Sequence, residues 1–446
     1  MSSALKSSTN NSVLTIFTQS TAGLGHLRVN DALHSSSPLE FNPLVFRSHG
    51  FRITWLNRIT SFNFFIRRIM EWIQRGAPQD IFTFYYRRCL RLKIYNLYQQ
   101  ITILLDQYLE TPEKVIIITT NFNLAQQLGA IKDQLEENKK TKIFLVIQVT
   151  DASPQHIWMV PEADLILVPN QRTKENLELY RSKKQFKPVK IEVSAYPLNR
   201  ALVKNFSTEE FTSKQIQLDP RAKFRVNLLL SIPGSAVDLK YYSELIFFLK
   251  DSPIIFQTFV VSRYSSYTKK FNLSLVNEDF IQIYPGQTDQ QTVADYLRLY
   301  LSEVISLEIT KPTEQSFKVL LDPVQRGGVI MLFDKPIGTQ ERDNLEFMRS
   351  HDLIPDEQVQ EKLWKLAESD QPPSEEILNR ASFWRGIQLP ENAKNAANFI
   401  NWLYYQEVFL RMLRYKPNLE NDRQEVNSLG SDLFWRKMSS LVNGRG

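Results

Sequence analysis

Val13-Leu14-Thr15-Ile16-Phe17-Thr18-Gln19-Ser20-Thr21-Ala22-Gly23-Leu24-Gly25-His26-Leu27-Arg28 decides how the chain is read. Val13 to Thr18 is a short, nearly continuous apolar run, the mark of a strand buried on both faces of a parallel sheet. Two glycines follow within three residues, and a helix is expected from His26 to Leu33. Strand, glycine turn and helix together open a doubly wound domain. The turn stands out because the whole chain of 446 residues has only fourteen glycines.

The alternation continues outward from that stretch. Strands are expected at Val115–Thr119, Ile143–Val149 and Leu165–Val168, with helices at Leu124–Leu135 and Thr173–Arg181. A mixed, proline-containing segment from Pro188 to Pro220 interrupts the pattern, which places a domain boundary near residue 200. It then restarts. Strands are expected at Arg225–Leu230, Ile254–Val261, Phe280–Ile283, Val304–Ile309 and Val329–Phe333, with helices at Leu239–Leu249, Val293–Leu301 and Ser316–Leu321. Strands alternating with helices predict a parallel sheet in each half. The expected fold is therefore α/β with two doubly wound Rossmann-like domains facing a central cleft. The expected domains are residues 1–200, with a basic aromatic insertion at 51–105, then 201–393, then a helical segment 394–446. Within the last, Asn395–Arg414 reads as one amphipathic helix packing back across the domains.

Composition narrows the function classes. A hydrophobic fraction of 43% and a charged fraction of 23% are ordinary for a globular chain. One cysteine, Cys89, excludes an internal disulfide and a cysteine metal cluster, and suits a reducing cytoplasm. The polar stretch Met1–Asn11 does not resemble a signal peptide, and no uncharged apolar run approaches the roughly 20 residues needed to span a bilayer. The net charge is +6, yet Phe51–Tyr95 alone carries nine basic and two acidic residues, so the remainder is close to neutral. That segment also holds nine aromatic side chains from Trp55 to Tyr86, and Phe62, Phe65, Ile66, Ile69 and Ile73 share one helical face. Its residue-by-residue explanation is a core face with a solvated basic face. As a segment it suits an anionic membrane surface, with Arg67, Arg68, Arg87 and Arg88 at the headgroups. No nucleic-acid module is present, and that partner is not expected.

Three loops at strand carboxyl ends, where open α/β sheets bind ligands, carry chemistry. In the first, Gly23 and Gly25 let backbone amides approach a ligand, and His26 at a helix start can take a proton from an attacking hydroxyl; a tight turn with a structural histidine is the plainer explanation. In the second, Val149-Thr150-Asp151 precedes His156 and Trp158. Asp151 can bond a sugar hydroxyl, orient His26, act as base, or simply cap the next turn. The third region comprises Glu308–Ser316 and Asp334–Asn344. Ser316 can cap a helix facing a diphosphate, and Gln340, Glu341 and Asn344 recur at helical spacing where they can bond sugar hydroxyls. A charged helix start explains the same residues.

Taken together, these loops resemble the GT-B glycosyltransferases that act on lipids: the MurG-type N-acetylglucosaminyltransferases and the diacylglycerol glycosyltransferases, including monogalactosyldiacylglycerol synthase. Residues 12 to 415 carry the likeness. Gly25-His26 resembles the family's Gly-Gly-His loop. Val149-Thr150-Asp151 with His156 and Trp158 resembles its "VTD…H…W" segment, and Ile309-Thr310-Lys311-Pro312 its "ITK" strand end. Gly338, Gln340, Glu341 and Asn344 match "GQE..N" with Thr339 as one extra residue. The resemblance implies His26 and Asp151 as catalytic residues. It implies an acceptor side at Gly23, Gly25, His156 and Trp158. It implies donor binding by Gly234, Ser235, Lys311, Glu314, Ser316, Gly338, Gln340, Glu341 and Asn344. The chain departs from the family where Thr313 and Gln315 stand at glycine positions and Val319 near that of the ribose-binding glutamate.

The activity so implied is sugar transfer from a nucleotide-sugar, UDP-linked, to a lipid or membrane-associated acceptor. No cofactor or metal is expected, and the place of action is the cytoplasmic face of a membrane. A sugar-nucleotide 2-epimerase, a catalytically degenerate GT-B-fold binding protein and a surface-bound scaffold are the alternatives.

Overall fold

The computed structural model describes residues 13–19, 23–47, 76–92, 94–108, 112–234, 236–333, 336, 338–414 and 424–444. The chain divides into two compact units, Met1–Asn199 with Leu429–Gly446, and Arg200–Ser428.

The first unit is built on a six-stranded, all-parallel sheet: β1 (Val13–Gln19), β2 (Pro43–Arg47), β3 (Lys114–Thr119), β4 (Lys142–Gln148), β5 (Leu165–Val168) and β6 (Lys190–Val193). Its order is β2-β1-β3-β4-β5-β6, so the chain reverses its direction of winding between β1 and β3. Helices α1 (Leu24–Ser35), α2 (Gly76–Arg91), α3 (Tyr95–Leu105), α4 (Phe122–Lys139) and α5 (Gln171–Lys183) surround it. The central strands are mostly apolar because both faces are covered: Ile16, Val115, Ile117, Ile143 and Ile147 share one core with Leu124, Leu128 and Ile131 of α4. Asn121 starts α4 as an ordinary cap, its side chain accepting from the amides of Asn123 and Leu124.

The second unit repeats the plan after α6 (Arg200–Val203) and α7 (Thr208–Gln217). Its strands are β7 (Val226–Ser231), β8 (Phe256–Arg263), β9 (Ile281–Gly286), β10 (Leu307–Thr310), β11 (Val329–Phe333) and β12 (Gly386–Leu389), in the order β12-β11-β10-β7-β8-β9, again all parallel. The winding reverses between β7 and β10. Helices α8 (Leu239–Lys250), α9 (Lys269–Leu275), α10 (Asp289–Ser302), α11 (Gly338–Ser350), α12 (Glu357–Glu368) and α13 (Glu375–Ala381) complete the layers.

Two expectations are corrected at the C-terminal end. Asn395–Arg414 is not one helix: α14 (Ala393–Tyr405) and α15 (Val408–Met412) are separated where Glu407 takes a left-handed φ of 56°. Nor is 394–446 one segment. α14 and α15 lie in the core of the second unit, whereas α16 (Gly430–Val442) belongs to the first. There Trp435 donates from Nε1 to the Leu33 carbonyl at 2.9 Å and packs on Phe41. Gly430 permits the approach, since a Cβ at that position would lie 2.2 Å from the Tyr196 oxygen. No helix among the described residues is long and apolar enough to cross a membrane.

Candidate functional site

The first switch point lies at the carboxyl ends of β1 and β3. Gly23, with a left-handed φ of 90°, turns the chain from β1 into α1, a conformation that glycine adopts without strain. This puts Gly25 and His26 in the first turn of α1, with Gly25 buried and His26 half-buried. The Thr120 hydroxyl, at the end of β3, donates to the His26 carbonyl at 2.9 Å. The Thr150 hydroxyl, at the end of β4, lies 3.1 Å from His26 Nδ1. The imidazole edge meets the rings of Phe122 and Trp158, each 6.3 Å away between centroids. Three strand ends thus fix the position, tilt and rotation of one titratable ring.

The other first-unit residues divide around it. Asp151 is buried and its Oδ1 accepts from the Ser153 amide at 3.0 Å, the turn-capping arrangement. Trp158 is fully buried, a wall behind His26 rather than a surface for a ligand. His156 stacks on Tyr180 at 4.0 Å and bonds through Nδ1 to Asp80 of α2 at 2.8 Å. Burial pulls its pKa below the ordinary value, outweighing the Asp80 carboxylate. Burial would raise the Asp80 carboxyl, but hydrogen bonds from Lys184 and Lys183 hold it below the usual range. These contacts clasp α2 to α5. Arg87 belongs to the same clasp: it donates to the Met159 carbonyl at 2.7 Å and lies over the Phe186 ring, whereas Arg88 is exposed. Arg67, Arg68 and the helix expected around them lie outside the described residues, as does Ser235.

The second switch point is packed differently. Lys311 at the end of β10 is buried, and its ammonium lies 2.6 Å from the carboxylate of Asp238, which begins α8. Glu308, wholly buried inside β10, accepts from Lys318 at 2.8 Å and from the Tyr296 hydroxyl at 2.6 Å; the Tyr300 hydroxyl also donates to it. Lys318 donates onward to Gln315 Oε1 at 2.7 Å, and the Gln315 amide donates to the Ser231 hydroxyl at the end of β7. Burial raises the Tyr242 phenol well above its ordinary pKa, and the carboxylates of Asp238, Glu341 and Glu308 add to the effect.

The sequence expectation at Ser316 needs correction. Glu314–Leu320 forms a 3₁₀ turn, and Ser316 inside it donates its hydroxyl to the Thr313 carbonyl at 2.6 Å, so no helix end opens there. Glu314 is half-buried and Gly234 exposed. Val319 is core, packed beside Gly386. Gly338 starts α11 with a φ of 88°, and no described residue lies within 4 Å of where a Cβ would stand. Gln340, Glu341 and Asn344 follow in the first two turns. Asn344 donates to the Pro312 carbonyl at 2.9 Å, which ties α11 to the loop after β10. Asp238 and Lys318 were not singled out from sequence, and Thr150 and Gln315 entered only as part of a motif and as a departure from a glycine position, with no partner assigned. The available signal was Glu308, a carboxylate inside an apolar strand that requires buried partners. Among the described residues no group of three or more histidine, cysteine or carboxylate side chains could hold a metal ion.

No known protein family matches the chain, and no curated protein matches it by sequence. Solved structures do match its fold. A UDP-N-acetylglucosamine 2-epimerase from Neisseria meningitidis, bound to UDP-N-acetylglucosamine, superposes with a TM-score of 0.50 at 12% identity, covering 96% of this chain and 99% of that one. A protein from Listeria monocytogenes assigned as the same enzyme gives 0.51 at 10% identity, covering 96% of each chain. The chain has the GT-B fold. A MurG from Acinetobacter baumannii covers 95% of this GT-B chain and 99% of its own length at 12% identity, but its TM-score of 0.43 is too low to argue the type.

Proposed function

We propose that this chain is a nucleotide-sugar-dependent GT-B enzyme, and that it transfers a hexosyl group from a UDP-linked donor to a hydroxyl of a lipid or membrane-associated acceptor. The observation that carries the reading is His26: a half-buried imidazole oriented by the Thr150 hydroxyl and an aromatic wall at the β1/β3 switch point. In the transfer, the acceptor hydroxyl gives its proton to that imidazole. The acceptor oxygen bonds to the anomeric carbon, and the bond from that carbon to the diphosphate breaks, its electron pair leaving with UDP. Lys311 neutralises charge on the leaving diphosphate, the kind of preorganised stabilisation that lowers such barriers. Gln340 and Glu341 hold the sugar hydroxyls, Asn344 sets the position of α11 through the Pro312 carbonyl, and Asp151 keeps the β4 loop in place. The step needs no metal.

The acceptor side of the reading is supported by α2. Ile81, Phe84 and Tyr85 are each about 60% exposed beside exposed Arg88, and Leu92 follows at 77%. An apolar stripe edged by arginine suits the interface of an anionic bilayer at its cytoplasmic face, with about 1 kcal/mol for each headgroup-proximal cation. A second reading, sugar-nucleotide 2-epimerisation, is favoured by the two solved structures with TM-scores of 0.50 and 0.51.

One experiment separates them. Labelled UDP-glucose, UDP-galactose and UDP-N-acetylglucosamine are incubated with the protein, with and without anionic vesicles containing diacylglycerol. Transfer predicts label in the lipid fraction, and a His26→Ala loss of about 10²–10⁴-fold in turnover with UDP affinity unchanged. Conversion of the free nucleotide-sugar to its epimer would establish the second reading. If UDP neither binds nor turns over, the chain is a degenerate binding protein of the GT-B fold.

A further inference from the structure

The ion pair between Lys311 and Asp238 joins the loop after β10 to the loop after β7, across the switch point of the second sheet. The two partners differ in environment. The Lys311 side chain is 4% exposed and that of Asp238 is 46% exposed. A buried ammonium must have a counter-charge close by, whereas a half-exposed carboxylate can be transferred to water at small cost. Asp238 is the mobile partner by chemistry.

Its backbone points the same way. Asp238 precedes the first residue of α8, the position where aspartate ordinarily caps a helix. Here its side chain makes no cap bond, being given to Lys311 instead. Asp238 holds a left-handed φ of 61° and Ala236 one of 54°, two strained non-glycine residues in three positions. Glu341 and Glu308 also raise the Tyr242 phenol together with Asp238, so further carboxylates lie near this ion pair. Glu308 has Lys318 as its partner and Glu341 is buried. An anion arriving at Lys311 meets like charge unless Asp238 moves away.

We propose that Asp238 is a built-in competitor for the diphosphate of the donor. In the empty protein its carboxylate neutralises Lys311. The incoming diphosphate takes over the ammonium, and the half-exposed Asp238 carboxylate turns out to water. The return of that carboxylate to Lys311 helps to expel the product UDP. This rests on the reading of the second unit as the donor side, and it sets donor affinity through the fraction of molecules in which Lys311 has been released.

The test is calorimetric titration of the full chain with UDP and, separately, with inorganic pyrophosphate. Asp238→Asn should bind both at least about tenfold more tightly than the wild type, and Lys311→Met should bind both more weakly. Asp238→Ser, which keeps an oxygen near the ammonium, repeats the measurement should asparagine unfold the loop. Pyrophosphate or UDP bound no more tightly by folded Asp238 variants overturns the competitor. If UDP binds the wild type and the variants equally, the donor-side reading stands and the competitor fails. If only pyrophosphate binds, and tighter to Asp238→Asn, the competitor stands and the nucleotide reading fails. Absence of binding by either probe to any variant overturns both.

Discussion

At the first switch point a half-buried imidazole is positioned by a threonine hydroxyl and two ring edges, with a further hydrogen bond from Thr120 to the His26 carbonyl. At the second, the polar side chains are spent on one another. Glu308 is bonded to Lys318, Tyr296 and Tyr300, Lys318 to Gln315, Gln315 to Ser231, and Asn344 to Pro312. Both sheets wind the same way and both loops stand at strand carboxyl ends, so topology does not cause the difference. It comes from side chains: glycine and histidine where the first chain turns, and glutamine, lysine and buried carboxylate where the second does. A loop of small residues leaves room for a ligand, whereas a loop stapled from within is rigid and carries stability. Substitutions should therefore damage placement and turnover around His26, and folding around the Glu308–Lys318 cluster.

The largest expected effect tests the second half of that statement. Lys318→Met leaves Glu308 as a wholly buried carboxylate without its cation, which costs about 3–5 kcal/mol for a pair of this kind. Hydrogen exchange of the β10 amides in the full chain should report the loss, while β1 and β3 are unchanged. The double variant Glu308→Leu/Lys318→Met should recover most of it, because a well-packed apolar pair can replace a buried ion pair. A Lys318→Met effect below about 1 kcal/mol would mean that water reaches Glu308, and that the second loop is not stapled at all.

Gly23→Ala tests the first half, with a smaller effect. At φ 90° an alanine costs about 1–2 kcal/mol, and its Cβ would stand 3.3 Å from His26 Cδ2. The ring must then give way, so turnover should fall more than the melting temperature does. Gly338→Ala is the comparison: its φ is 88°, and no described residue lies within 4 Å of the added carbon, so the strain falls on the start of α11 and should weaken donor affinity rather than turnover at saturating donor. Equal losses of turnover at saturating donor would show that the placement of His26 is not special.

The fold was legible because its central strands are buried on both faces and therefore read as apolar runs; β1, β3, β4, β5, β7 and β11 fall within a residue or so of where the sequence places them. The strands that were missed lie at sheet edges. β2 begins with Pro43, β6 alternates lysine and glutamate with apolar residues, and β12 carries Gly386, whose bare Cα admits the Ile330 carbonyl. Edge strands need less apolar surface, and their pattern fades into loop. Of the candidate site, the glycine turn and His26 were legible because they depart from composition. The partnership of His26 with Thr150 joins residues 124 positions apart, and that of Lys311 with Asp238 joins different loops. Neither kind of pairing leaves a periodic trace. The 3₁₀ turn at Glu314–Leu320 was read as a helix because local spacing cannot register that Gln315 and Lys318 are drawn inward by Ser231 and Glu308.

The smallest effect sharpens the comparison by pH. The clasp that holds α2 contains His156, whose folded pKa lies below the ordinary 6.5 because burial disfavours the imidazolium by more than Asp80 favours it. A lowered histidine contributes its stability in full above the unfolded value and loses it as pH falls through the folded one. Asp80 is also lowered, so its contribution persists until the carboxyl range near pH 4. Between pH 7.5 and 5.0, then, the clasp should weaken through His156 alone, with Tyr180 stacked on it and Lys183 and Lys184 adding repulsion to the new charge. Exchange of the α2 amides, corrected for intrinsic rates, should speed up by about two- to fivefold, the scale of a partly screened pair. His156→Gln should remove the slope. The amides of β10, whose cluster contains no imidazole, should show no such slope in the same sample. Protection of α2 that increases on acidification would mean that the charged His156–Asp80 pair outweighs its burial. The first unit would then resemble the second, held by an ion pair rather than by packing.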